Sequence, residues 1–360
     1  MSPAGIRTVA RQELRLRIRA GRWRWLLGMW FAVLLLFTVL LRLAIGSVDG
    51  TLVDGGVVVY GGLVLFVLGL ALLVVPALAA QSVNGDRERG TLATLQVTRL
   101  TAGDIALGKF AAAWGSSLVF LALTLPMTVY AMTQGGVTLG RVLATTIVMA
   151  LLLGSVCAIA LALSALLART TTSGVLTYLA VFALTVGTLV AFGLASATTS
   201  ETYTQTIPPY CPKEADLPPD LPPMDRAKIL SSCNTADQTY TATRLRTDRT
   251  WWLLAPNPFV VLADSAPTLP PLTPAQRRAR DRLQAEGRGT TDVRDVDPLG
   301  NLGRTVRELR DDPTDKLSTH KAVWPLGLAV DVALGAGALV LTTRRLRTPS
   351  RRLPRGQRVA

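Results

Sequence analysis

Apolar residues along this chain gather into six long runs and do not alternate with polar ones. The runs are Trp25 to Gly46, Val57 to Ala80, Leu107 to Thr133, Val142 to Leu167, Gly174 to Ala197 and Ala322 to Thr343. A helix rises about 1.5 Å per residue, so roughly 20 apolar residues cross a hydrocarbon core of about 30 Å. Each run is long enough. Continuous hydrophobicity argues against membrane strands, and in lipid every backbone group must be paired, which a helix achieves within one segment. The pattern predicts an all-α integral membrane protein with six transmembrane helices: spans one to five within 25–197 and the sixth at 322–343. Pro76 and Pro126 are expected to kink the second and third spans. Gly335-Ala336-Gly337 suits close helix approach in the sixth.

The polar segments carry patterns of their own. In residues 1–24, Ile6, Val9, Ala10, Leu14 and Ile18 recur at helical spacing beside a stripe of Arg7, Arg11, Arg15, Arg19 and Arg22. This predicts an amphipathic helix in the headgroup plane, with Trp23, Trp25 and Trp30 in the interfacial belt. Residues 198–321 form one long segment of nearly balanced charge. Seven prolines between Pro208 and Pro223 favour extended chain. Pro274 to Glu286 reads as a charged surface helix. Trp251 to Ala263 is apolar but too short and proline-broken to span, so it reads as an interfacial or re-entrant piece.

Charge sets the sidedness. Hydrophobic residues make up 49% of the 360 and charged ones only 17%, yet the formal net charge is +14. Seven arginines lie in 1–24 and seven in 344–360; less Glu13, the two tails supply +13 of that +14. Arginines flanking apolar runs are topology signals and lipid contacts, which removes the nucleic-acid reading that a pI near 10.6 would otherwise invite. Both tails should be cytoplasmic, in agreement with an even number of spans. The acidic connection 47–56 then reads as external and the basic connection 81–106 as cytoplasmic. The segment 198–321 is expected outside, in a multi-pass protein of the cell membrane. Arg42 and Arg141, near external span ends, are expected to snorkel to the headgroups.

Little points to catalysis. His320 is the only histidine, and the cysteines fit no metal spacing. Cys157 reads as filler in an apolar run. Cys211 and Cys233, in a polar segment expected outside, are read as a disulfide pair. Gly103 to Lys109 has the spacing of a phosphate-binding loop, but Phe110 stands where a Ser or Thr must hold magnesium, and no strand leads in. Neither metal nor cofactor is expected in this chain. Asp331 lies near the middle of the sixth span, where an ionisable group is costly. It is read as a pathway or subunit-contact residue, or as a satisfied acid in helix packing.

The informative stretch lies between spans two and three. Thr91 to Gln96 reads as a short helix with Leu92 and Leu95 on one side among charges, an apolar knob suited to a groove in a partner. Thr101 could cap the helix that becomes the third span. Glu88, Gly90, Thr91, Leu92, Leu95, Thr98, Leu100, Asp104, Ile105, Gly108 and Lys109 together resemble the corresponding connection of type-2 permeases of the ATP-binding-cassette (ABC) exporters. Ala93 and Arg99 depart from that pattern, where an acid and a proline are usual. The resemblance implies a membrane-spanning permease subunit whose loop contacts a separate ATPase through Glu88, Gly90, Thr91, Leu92 and Leu95. ATP and Mg would be bound by that ATPase subunit, and a second permease copy or a homologous permease would join. It covers about two thirds of the chain and leaves 198–321 unexplained. The competing class is a membrane-anchored receptor or scaffold with an external ligand-binding segment.

Overall fold

The computed structural model describes residues 2–19, 21–46, 55–90, 100–207, 222–232, 238–267, 296–311 and 321–347, with isolated positions between 269 and 282. The first half holds α1 (Pro3–Arg19), α2 (Gly21–Gly46), α3 (Gly55–Ala79), α4 (Asn84–Glu88), α5 (Ala102–Ala122), α6 (Leu125–Thr133) and α7 (Leu139–Leu166). There follow α8 (Thr170–Phe182), a π turn (Ala183–Gly187), α9 (Thr188–Thr198), β1 (Ser200–Ile207), α10 (Pro223–Ser231) and β2 (Gln238–Leu245). Last come α11 (Pro258–Ser265), α12 (Pro298–Arg310) and α13 (Trp324–Leu346).

Six helical stretches are long and apolar enough to cross a membrane: Trp23–Ile45, Gly55–Glu88, Ala102–Thr133, Leu139–Leu166, Thr170–Thr198 and Trp324–Leu346. This is the architecture of a multi-pass membrane protein. Pro76 stays inside α3, whereas Pro126 falls in the first turn of α6, just after the break that ends α5. Burial is uneven: 67% of the most apolar window of α7 is buried against 11% for the fifth span. The fifth span is fastened by hydrogen bonds. Ser173 Oγ donates to Ala80 O at 2.9 Å, Tyr178 Oη donates to Leu73 O at 2.8 Å, and Ser196 Oγ pairs with Thr250 Oγ1 at 2.8 Å. Asn257 Nδ2 reaches Thr185 O, inside the π turn, at 2.7 Å and Thr188 Oγ1 at 2.9 Å.

Close helix approach in the sixth span comes from two glycines on one face. A Cβ on Gly335 would sit 3.0 Å from Ser155 Cα, and one on Gly327 would collide with the Ala255 carbonyl. Gly337, expected to share this role, has open space instead.

In the segment after the fifth span the described residues hold regular structure that the composition did not imply, while 208–221, most of the proline run read as extended chain, lie outside them. β1 and β2 form an antiparallel pair from Ser200↔Leu245 to Ile207↔Gln238. The apolar piece Trp251 to Ala263 folds as a tight turn and α11, whose Val261 and Leu262 are fully buried in the same core as the spans. The described positions of 274–286, namely Pro274, Arg277, Arg278, Asp281 and Arg282, are helical and exposed. Asp264 is the hub of this end. Its Oδ2 accepts Val323 N and Trp324 N, the latter at 2.7 Å, and Oδ1 accepts Arg307 Nε. It thus satisfies amides at the start of α13 that no helical carbonyl can reach.

One expectation fails here. Arg141 does not snorkel. It is 2% exposed, and its Nη2 donates to Asp297 Oδ2 at 2.6 Å, joining the start of α7 to the start of α12. The partner lies 156 positions away, beyond the reach of any local pattern.

Candidate functional site

The connection between the second and third spans is built outward from both helices. The second span continues past the apolar run into α4, which ends at Glu88 with Arg89 as its C-cap; Gly90 follows with φ of +71°. That left-handed backbone suits glycine and stops the helix. On the far side Thr101 caps α5, as its sequence position suggested. Thr101 Oγ1 accepts Asp104 N at 3.2 Å, and Asp104 Oδ2 accepts Thr101 N at 3.0 Å, a reciprocal capping box. Between them Thr91, Leu92 and Leu95 lie outside the described residues.

The arm 81–90 is fastened to three other parts of the bundle. Ser164 Oγ accepts both Val83 N and Asn84 N at 3.1 Å, Asn84 Nδ2 donates to Arg169 O at 3.3 Å, and Arg87 Nη1 donates to Ala165 O at 3.2 Å. Glu88 accepts Thr170 N at 3.2 Å and Thr170 Oγ1 at 3.4 Å, so its carboxylate caps the first turn of α8. Asp86 points the other way, onto the Lys109 ammonium of α5. Arg89 and Gly90 are exposed at the tip, beside the stretch that carries the leucines.

The N-terminal helix belongs to the same assembly. α1 runs alongside the first turns of α5. Ser2 N donates to Asp104 Oδ1 at 2.8 Å, Glu13 pairs with Lys109, and Arg17 donates to Ser116 Oγ and Leu78 O, each at 3.1 Å. Gly108 lets the two backbones meet: a Cβ there would lie 2.5 Å from Val9 Cβ and 3.0 Å from Ile6 O. Val9, read as part of a lipid-facing stripe, is therefore covered by protein, and Ile6 beside it is half-buried. Leu16 and Ile18 stay exposed, as do Arg7, Arg11, Arg15 and Arg19.

Asp104, Gly108 and Lys109 thus do a job that their sequence pattern did not disclose. Asp104 and Lys109 hold the N-terminal helix by hydrogen bonds and charge, and Gly108 by close packing. Lys109, the lysine of the phosphate-loop spacing, is helical and fully buried, with its amine on protein partners.

Asp331 shares the α13 face of Gly327 and Gly335. It is 3% exposed, and its Oδ2 is buried without a hydrogen-bond partner among the described residues. Cys157 is buried within α7 as a free thiol. Cys211 and Cys233 lie outside the described residues. Between α3 and α8 an apolar groove of about 530 Å³ opens, lined among others by Gly69, Leu72, Tyr178, Phe182 and Phe259. Among the described residues no group of three or more His, Cys, Asp or Glu side chains gathers as a metal site would require.

Comparison with family models, with curated proteins and with solved structures finds no match.

Proposed function

We propose that this chain is the membrane-spanning permease subunit of an ATP-driven exporter, similar to the type-2 ABC permeases. In this reading 81–106 is the cytoplasmic loop that docks on a separate ATPase subunit, which binds ATP and Mg. The chain itself has no ATPase site and works with a second copy or a homologous permease in the cell membrane. Both arginine-rich tails are then cytoplasmic and 198–321 is largely external.

The observation that carries the reading is the suspension of the arm. Asp86 ties it to the third span and Glu88 to the fifth, while its exposed tip leads into Leu92 and Leu95. A partner that pulls on the tip would load two spans at once, which is what conversion of ATP-driven motion into alternating access requires. The receptor reading fits less well. It calls for an external module with its own core, whereas Val261, Leu262 and Leu299 pack in the core of the spans.

The decisive experiment is the double substitution Leu92→Asp and Leu95→Asp. The variant is expected to insert normally, lose co-purification with its ATPase and lose transport-linked ATP hydrolysis. Normal co-purification and normal transport would overturn the reading.

A further inference from the structure

Lys109 is the meeting point of segments far apart in sequence. Its side chain is completely buried. The ammonium pairs with Glu13 of α1 and Asp86 of α4, and it donates to Ser82 O at the end of the second span at 2.9 Å. An ammonium has three donors, and here each has its own acceptor, two on the arm (Ser82 O and Asp86) and one on the N-terminal helix (Glu13). Lysine suits this better than arginine, whose planar fork favours a single partner plane. The two carboxylates meet across the buried ammonium, and Asp86 also holds Arg89 at 3.1 Å on its other oxygen. Without the lysine the carboxylates would face one another across a poorly screened interior and separate.

We propose that Lys109 is a positioning residue, the joint that makes the arm 84–90 and the N-terminal helix move as one body. Only residue 20 separates α1 from α2, so a displacement of the arm reaches the first span through Glu13 while it reaches the third directly. The packing supports a rigid joint. Val9 seats against Gly108, one residue from the lysine, and Ser2 is held by Asp104 a turn earlier. Docking of a partner on the tip would thereby regulate the position of the N-terminal helix. That consequence rests on 81–106 being the docking loop, whereas the joint itself does not.

The test uses the full chain alone in lipid nanodiscs, read by hydrogen exchange at the amides of 84–90. Glu13→Gln, distant from these amides in sequence, is expected to speed their exchange by about tenfold. In a Lys109→Met background the same Glu13→Gln change should add nothing, because the route between the two is already cut. Should Lys109→Met fail to fold, Asp86→Asn serves as the background with the same expectation. Exchange at 84–90 that ignores Glu13→Gln, or responds to it equally in both backgrounds, would overturn the joint. No ATPase is present in this measurement, so its failure is separate from failure of the leucine substitutions.

Discussion

Asp264 and Trp324 are joined across 60 positions by a single carboxylate oxygen, which accepts the Trp324 amide at 2.7 Å and the Val323 amide beside it. The sixth span therefore starts on an acid supplied by α11. Its free amides carry the positive end of the helix dipole, where a carboxylate is stabilising.

Asp264→Ala should orphan both amides and remove the carboxylate partner of Arg307 Nε, leaving Arg307 only its bond to the residue-264 carbonyl. Charged hydrogen bonds of this kind contribute about 1.5–3 kcal/mol each to stability, more when their loss leaves a buried donor. The expected result is a clear drop in melting temperature with early exchange at the start of α13. Asp264→Asn, which keeps an acceptor, should lose less. Equal melting of all three proteins would remove Asp264 from this role.

Arg141→Met should be among the most damaging single changes in the bundle. It strands Asp297, whose side chain is 3% exposed, and removing one partner of a buried pair typically costs about 3–5 kcal/mol. Replacing both residues with apolar ones should recover much of the loss. Unfolding in mild detergent would rank the three proteins, and a double variant worse than the single would contradict the argument.

Sidedness is open to a labelling experiment. Cysteines placed at Ser2 and Gln357 should be protected from impermeant reagents in intact cells, while one at Thr290 should react. The opposite pattern would put both tails outside and invert the proposed topology.

A disulfide between Cys211 and Cys233 follows from the same topology. The β1–β2 ladder ends at Ile207↔Gln238, and the cysteines lie just beyond those positions in sequence. Closing a loop of this length removes on the order of 3 kcal/mol of unfolded-chain freedom in the chain-entropy model. Peptide mapping without reduction, on protein alkylated before lysis, should recover the two peptides linked. Recovery of both as alkylated thiols would defeat the pairing.

The sequence carried the spans clearly because membrane helices advertise themselves by continuous hydrophobicity. The observed limits differ mainly where the second and third spans extend into polar residues, as at Asp86 in α4 and Asp104 in α5. The Thr101 cap was legible for the same reason that caps generally are: its partner lies three residues away. What escaped was everything held by distant partners. Arg141 could not be assigned to Asp297, nor Lys109 to Glu13, because nothing local encodes either meeting. The β1 strand Ser200–Ile207 lacks an apolar face, although its Thr and Tyr content was a signal that could have been used. The buried helix α11 was half visible, as an apolar run too short to span.

The π turn in the fifth span settles a question of angle. Ser173 and Ser196, which both bond inward, are 23 positions apart (196 − 173). At about 100° per residue, an uninterrupted helix would point them about 140° apart around its axis. The widened turn at Ala183–Gly187 takes up one residue without advancing the helix phase, which reduces that angle to about 40°. Both ends of a span that buries little of itself can then face the bundle together. Deleting a single residue between Phe182 and Thr188 should therefore cost the helix its bulge while leaving its two anchors in line.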